Sequence, residues 1–77
     1  MDRLTQNEHS VLSAIDQWKA PYEVVKALYP NGATKREERR VRDTLITLRN
    51  KYLAAYSVVQ GTYQITLAGR NRLAAKI

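Results

Sequence analysis

The segment from Thr34 to Leu53 (Thr-Lys-Arg-Glu-Glu-Arg-Arg-Val-Arg-Asp-Thr-Leu-Ile-Thr-Leu-Arg-Asn-Lys-Tyr-Leu) constrains this 77-residue chain more than any other. Thr34 and Glu37 stand three residues apart. At that spacing a threonine hydroxyl and a glutamate carboxylate satisfy each other's backbone N–H groups at a helix start. A helix over residues 35–51 follows. At about 100° per residue, Val41, Leu45, Leu48 and Tyr52 share a narrow apolar stripe, with Glu37 and Thr44 on one margin. Arg36, Arg39, Asp43 and Asn50 fall on the opposite side, flanked by Arg40 and Thr47. The helix is therefore core-facing mainly in its second half and cationic in its first two turns. Ile46 lies about 140° from Val41, outside the stripe, where it covers a neighbouring hairpin or belongs to a partner surface.

The flanking segments supply what that helix needs. Thr5-Gln-Asn-Glu8 is a second capping box, followed by Val11, Leu12 and Ile15, with Leu4 before it as a staple. This predicts a first helix over about 6–17. Trp18, Lys19 and Ala20 form a connector, with Trp18 expected in or near the core at the junction of the first two helices. Pro21 suits the first position of a helix, so a second helix is expected over 21–29 with Val24, Val25 and Leu28 inward. Pro30-Asn31-Gly32 ends it. Beyond Leu53, residues 54–59 and 62–66 are β-branched and aromatic runs around Gln60-Gly61, which predicts a β-hairpin. Thr66 can cap a last helix over about 67–76 carrying Leu67, Leu73 and Ile77. The expected fold is mainly α with a small β-hairpin (α+β), one domain over residues 1–77.

Charge is unevenly spread. Residues 1–34 hold three basic residues against four acidic ones, and residues 35–77 hold ten against three, giving the net +6. A basic half on a small domain points to a polyanionic partner, with nucleic acid ahead of an anionic membrane. No cysteine is present and His9 is the only histidine, so a cysteine-based metal site and a Cys/His nucleophile are excluded. Gly32, Gly61 and Gly69 form no phosphate loop. Neither a membrane span nor a signal peptide is visible. The expectation is a cytoplasmic, non-enzymatic protein without cofactor or metal.

In order and spacing the chain resembles the winged helix-turn-helix superfamily, in particular the small MarR-like and PadR-like bacterial regulators. Leu4-Thr5-x-x-Glu8-x-x-Val11-Leu12 resembles their first-helix opening. Val41-Arg-Asp-Thr44-Leu45-x-x-Leu48-Arg49-x-Lys51-x-Leu53 resembles their recognition helix and its exit. Tyr63-Gln-Ile65-Thr66-Leu-Ala-Gly69-Arg70-x-x-Leu73 resembles the second wing strand and the signature after it. Together these cover about residues 4–73. Three departures stand out. Many relatives have glycine where the chain turns left-handed after the recognition helix, and here that position is Tyr52. The wing tip has no Arg or Lys, and there is no room for the long dimerisation helices such regulators usually add.

The resemblance implies double-stranded DNA as partner, read in the major groove by the early residues of the third helix. Arginine can bond guanine bidentately there. The candidate contacts are Thr34, Lys35, Arg36, Arg39, Arg40, Asp43 and Arg70, Thr34 being a cap first. Glu38 sits four residues before Arg42, a favourable local pair, whereas Glu37 could reach Lys51 only through folding. Thr44 reads as structural. Tyr56 and Tyr63 could stack on bases, but packing against the helices is the commoner role of hairpin aromatics. The functional expectation is a small sequence-specific transcriptional regulator, a phage- or plasmid-type repressor or excisionase-like factor. A homodimer would add affinity to so small a module. The alternative is a protein–protein adaptor or inhibitor that docks its basic helix on an acidic surface of a nucleic-acid enzyme.

Overall fold

The computed structural model describes residues 4–74. The elements are α1 (Gln6–Ala14), α2 (Pro21–Leu28), α3 (Lys35–Asn50), β1 (Ala54–Ser57), β2 (Thr62–Ile65) and α4 (Leu67–Ala74). This is the α+β order expected from the sequence. Both capping boxes form: the Glu8 N–H donates to Thr5 Oγ1 and the Thr5 N–H to Glu8 Oε1, and Thr34 and Glu37 repeat the exchange. Pro21 opens α2, where the Ala20 N–H donates to the Glu23 carboxylate at 2.8 Å. Thr66 caps α4 by accepting from the Gly69 N–H at 3.0 Å.

The core lies where α1 and α2 pack across α3 and the hairpin closes one end. It gathers Val11, Leu12 and Ile15 from α1 and its C-terminal cap, Val24 and Val25 from α2, and Val41, Leu45 and Leu48 from α3. Leu53, Ala54, Tyr63 and Ile65 complete it. Each fully buried leucine contributes about 1.5–3 kcal/mol through removal of apolar surface from water, so the stripe on α3 is what fixes the orientation of that helix. Leu28 and Leu73 pack on the core's edge, and Thr44 is buried with its hydroxyl donating to the Arg40 carbonyl at 2.7 Å.

The hairpin pairs Ala54 with Ile65 and Tyr56 with Tyr63 in antiparallel register. Its strands are shorter than expected, stopping at Ser57 and Ile65, with a turn that closes through the Gly61 N–H on the Ser57 carbonyl. The other edge of β2 is paired too. Lys19 and Tyr63 exchange both backbone hydrogen bonds at 2.7–2.8 Å, and the Ile65 N–H donates to the Ile15 carbonyl. The connector after α1 thus acts as a third, one-residue strand.

That pairing accounts for two differences from the sequence expectations. Helix α1 ends at Ala14, three residues early, because the chain must leave helical geometry for Lys19 to reach β2. Trp18, held on this edge segment, is 43% exposed and lies outside the core. Tyr52 also leaves the expected stripe: α3 stops at Asn50, and Tyr52 takes φ +62° and projects into solvent at 81% exposure. It is the left-handed residue at the position where glycine was missing. Leu67 is exposed because the inward place at the start of α4 belongs to Gly69, packed on the Leu53 backbone. The expected Lys76 end of the last helix and Ile77 lie outside the described residues.

Candidate nucleic-acid interface

The face of α3 turned away from the core borders a shallow groove whose other wall is the first turn of α1. Thr5, Asn7 and Glu8 line it from one side, and Arg36, Arg39, Arg40, Asp43 and Thr47 from the other. Four of the seven expected contact residues therefore meet in one place. Lys35 adjoins Arg36 and Arg39 on the outer side of the same turn. Thr34 sits immediately before them as the helix cap. Arg70 is elsewhere: its guanidinium donates to the Asp16 carbonyl at 3.2 Å, tying α4 to the end of α1, and it does not line this groove. Gln64 reaches the same carbonyl at 3.5 Å.

Lys35, Arg36, Arg39, Arg40 and Asp43 are all exposed. Among the described residues no carboxylate lies within ion-pair distance of the four cations. The reason is local. Glu37 is engaged as the cap partner of Thr34, its carboxylate accepting the Thr34 N–H at 2.9 Å. Glu38 does not close the expected pair with Arg42, and both side chains stand apart beside a separate groove formed with Tyr22, Lys26 and Tyr29 of α2 and its C-terminal cap. The free backbone N–H groups at the start of α3 add partial positive charge to this end, so cationic side chains and helix dipole sum in the same direction. Asp43 is the sole carboxylate on the α3 wall of the groove.

Glu8 has a role that its capping-box position does not reveal. It is buried, and its second carboxylate oxygen accepts from Lys51 Nζ at 2.7 Å, linking the first turn of α1 to the end of α3. Burial works to raise its pKa, but the hydrogen bonds from Lys51 and Thr5 and the Lys51 charge outweigh it and hold the carboxyl below its usual range. The fold brings Lys51 to Glu8 and not to Glu37, which lies at the far end of the helix. A signal was present in the sequence: Glu8 precedes Val11, Leu12 and Ile15 by three, four and seven residues, which places it on the buried face of α1. This ion pair holds the two walls of the groove together and removes the Glu8 charge from the surface.

On the other flank of α3, the Arg49 guanidinium lies 4.9 Å from the centroid of the Tyr56 ring, and Tyr56 packs on Tyr63 at 4.7 Å between centroids. Tyr63 is buried, and its hydroxyl pKa is raised by that burial and by Tyr56. The hairpin aromatics thus serve packing. Arg49 covers the Tyr56 ring of the hairpin, and Ile46 is 48% exposed.

The described residues contain no cluster of His, Asp or Glu able to hold a metal ion, and no helix among them is long and apolar enough to cross a membrane. What the groove can do chemically is donate hydrogen bonds to anionic or carbonyl-rich edges from Arg36, Arg39 and Arg40, with Asp43 as acceptor. Comparison with known proteins finds no family model, no curated protein and no solved structure that matches this chain.

Proposed function

We propose that this chain is a winged helix-turn-helix domain that binds double-stranded DNA and serves as a small sequence-specific regulator, a repressor or an excisionase-like factor. The observation that carries the reading is the exposed set Lys35, Arg36, Arg39 and Arg40, without carboxylate partners among the described residues, at the start of a helix whose opposite side is core. A helix so mounted can enter the major groove with its early turns at the base edges. The guanidinium groups then face guanine O6 and N7 or the flanking phosphates. The first turn of α1, with Thr5 and Asn7 beside the groove, would follow the phosphate backbone.

The test is titration of random-sequence duplex DNA at two salt concentrations. With about four cationic contacts, log K should fall with log[salt] at a slope of about −3 to −4, roughly a hundredfold loss between 50 and 200 mM. Arg39→Ala and Arg40→Ala should each weaken a preferred site by about 1–3 kcal/mol if they read bases. Equal weakening on random DNA would assign them to phosphates. Absence of binding at low salt would sink the reading, because the phosphate contribution needs no particular sequence.

One observation favours a second reading, a protein–protein adaptor. The hairpin tip carries Val58 and Val59 at 79% and 96% exposure and no cation. A tip of that kind suits a protein surface better than a phosphate backbone. This reading takes over if duplex DNA fails to bind.

A further inference from the structure

Ile46 is the apolar side chain on the outward face of α3. It lies outside the hydrophobic core and outside the apolar side chains packed against it, and it is 48% exposed. Its neighbours one turn away on either side are Arg42, Asp43, Arg49 and Asn50, all exposed and polar. A single exposed isoleucine on an ordinary surface needs no explanation. This one stands seven residues, or two helical turns, after Arg39 on nearly the same strip of the helix, with Asp43 between them. On the hairpin side of the helix, Arg49 lies over the Tyr56 ring, and about half of Ile46 is open to solvent. In mid-helix, an exposed β-branched residue is also a slightly poorer choice than a straight-chain one.

Resting on the DNA-binding reading above, we infer that Ile46 is a specificity-determining residue that packs on the C5-methyl group of a thymine in the major groove. The chemistry of the strip leaves one match. Arg39 donates hydrogen bonds and Asp43 accepts them, whereas Ile46 can do neither. The major-groove edge of a base pair offers one apolar group, the thymine methyl, and apolar side chains meet it there. From Arg39 to Ile46 the helix rises about 10 Å, about three base steps along the duplex. The thymine should therefore lie about three positions from the base that Arg39 contacts.

The experiment begins with selection of preferred duplexes from a random pool. Each thymine of the selected site is then replaced in turn by deoxyuridine, which keeps the base pair and removes only the methyl. For the wild-type protein one thymine position should lose about fourfold in affinity, the worth of one buried methyl, while the other positions change little. Ile46→Ala should bind thymine and uridine at that position equally. Because Ile46 is exposed, the variant should melt like the wild type, and the uridine series needs no variant at all. A selection without sequence preference, a uniform response to uridine, or an Ile46→Ala protein that still distinguishes the two bases overturns the inference while leaving DNA binding itself standing. No binding of the wild-type protein to random duplex at low salt overturns both.

Discussion

The Glu8–Lys51 ion pair joins the walls of the groove, and its removal should be felt in both stability and pH dependence. Lys51→Met keeps most of the alkyl stem and deletes the ammonium group. The Glu8 side chain is 7% exposed and that of Lys51 38%. Breaking a fully buried pair costs about 3–5 kcal/mol, and an exposed pair contributes about 0–1. Water reaches Lys51, and Glu8 retains its hydrogen bond from the Thr5 N–H, so the cost should fall between, at about 2 kcal/mol. For a domain of this size that lowers Tm by about 8–16 °C. The pH behaviour follows from the direction of the Glu8 shift. Its folded pKa is depressed, so the stabilisation is complete above the ordinary glutamate value of about 4.3 and is lost as pH falls through the folded value. Thermal and urea unfolding of wild type and Lys51→Met, followed by circular dichroism at pH 7 and at pH 2–3, should show the gap at neutral pH and its narrowing in acid. A gap below about 0.5 kcal/mol at pH 7, or one that is the same at both pH values, refutes the reasoning.

Three further outcomes follow from particular residues. Gly69→Ala should destabilise by about 2–3 kcal/mol, because a Cβ there would meet the Leu53 carbonyl and stand 2.7 Å from Ile65 Cγ1; glycine to alanine in an open helix stabilises, so a rise in urea midpoint would show that the contact yields. Tyr52→Gly should raise Tm by a few degrees, since relief of the left-handed strain is worth about 1 kcal/mol and the ring is 81% exposed; a fall in Tm would mean that the ring has a contact to lose. Asp43→Asn should tighten binding to random duplex by about two- to fivefold through loss of a charge that repels phosphates, with a smaller ratio of specific to random affinity in competition assays; an unchanged ratio would remove Asp43 from the reading face.

How much of this was legible in the sequence depended on whether a feature was local. Caps and periodicity are local, so Thr5, Thr34, Thr66, Pro21 and the α3 stripe located the helices to within a few residues. The clustering of Arg36, Arg39, Arg40 and Asp43 was readable for the same reason, since all lie on one helix. Long-range partners were not. The Lys19–Tyr63 bridge joins residues 44 positions apart, and no local pattern announces that a connector will act as a strand; without it, Trp18 looks like a core residue. Lys51 could be assigned to Glu8 only by noticing that Glu8 lies on an apolar helix face, where a charge needs a partner. The partner of Arg70 was not legible for a related reason: position on a terminal helix says nothing about which carbonyl its guanidinium will meet. The place of Thr5 and Asn7 beside the groove was not legible either, because it arises only when α1 packs on α3.

The central claim, that the exposed start of α3 is a surface for duplex DNA, is tested most directly by mapping the contact on the protein itself. Isotope-labelled chain titrated with a short random-sequence duplex at low salt should show amide NMR shifts concentrated over residues 34–47, with Thr5 and Asn7 joining them, and these should fade as salt is raised. No perturbation at low salt, or shifts confined to the groove of Tyr22, Tyr29 and Arg42, would contradict it.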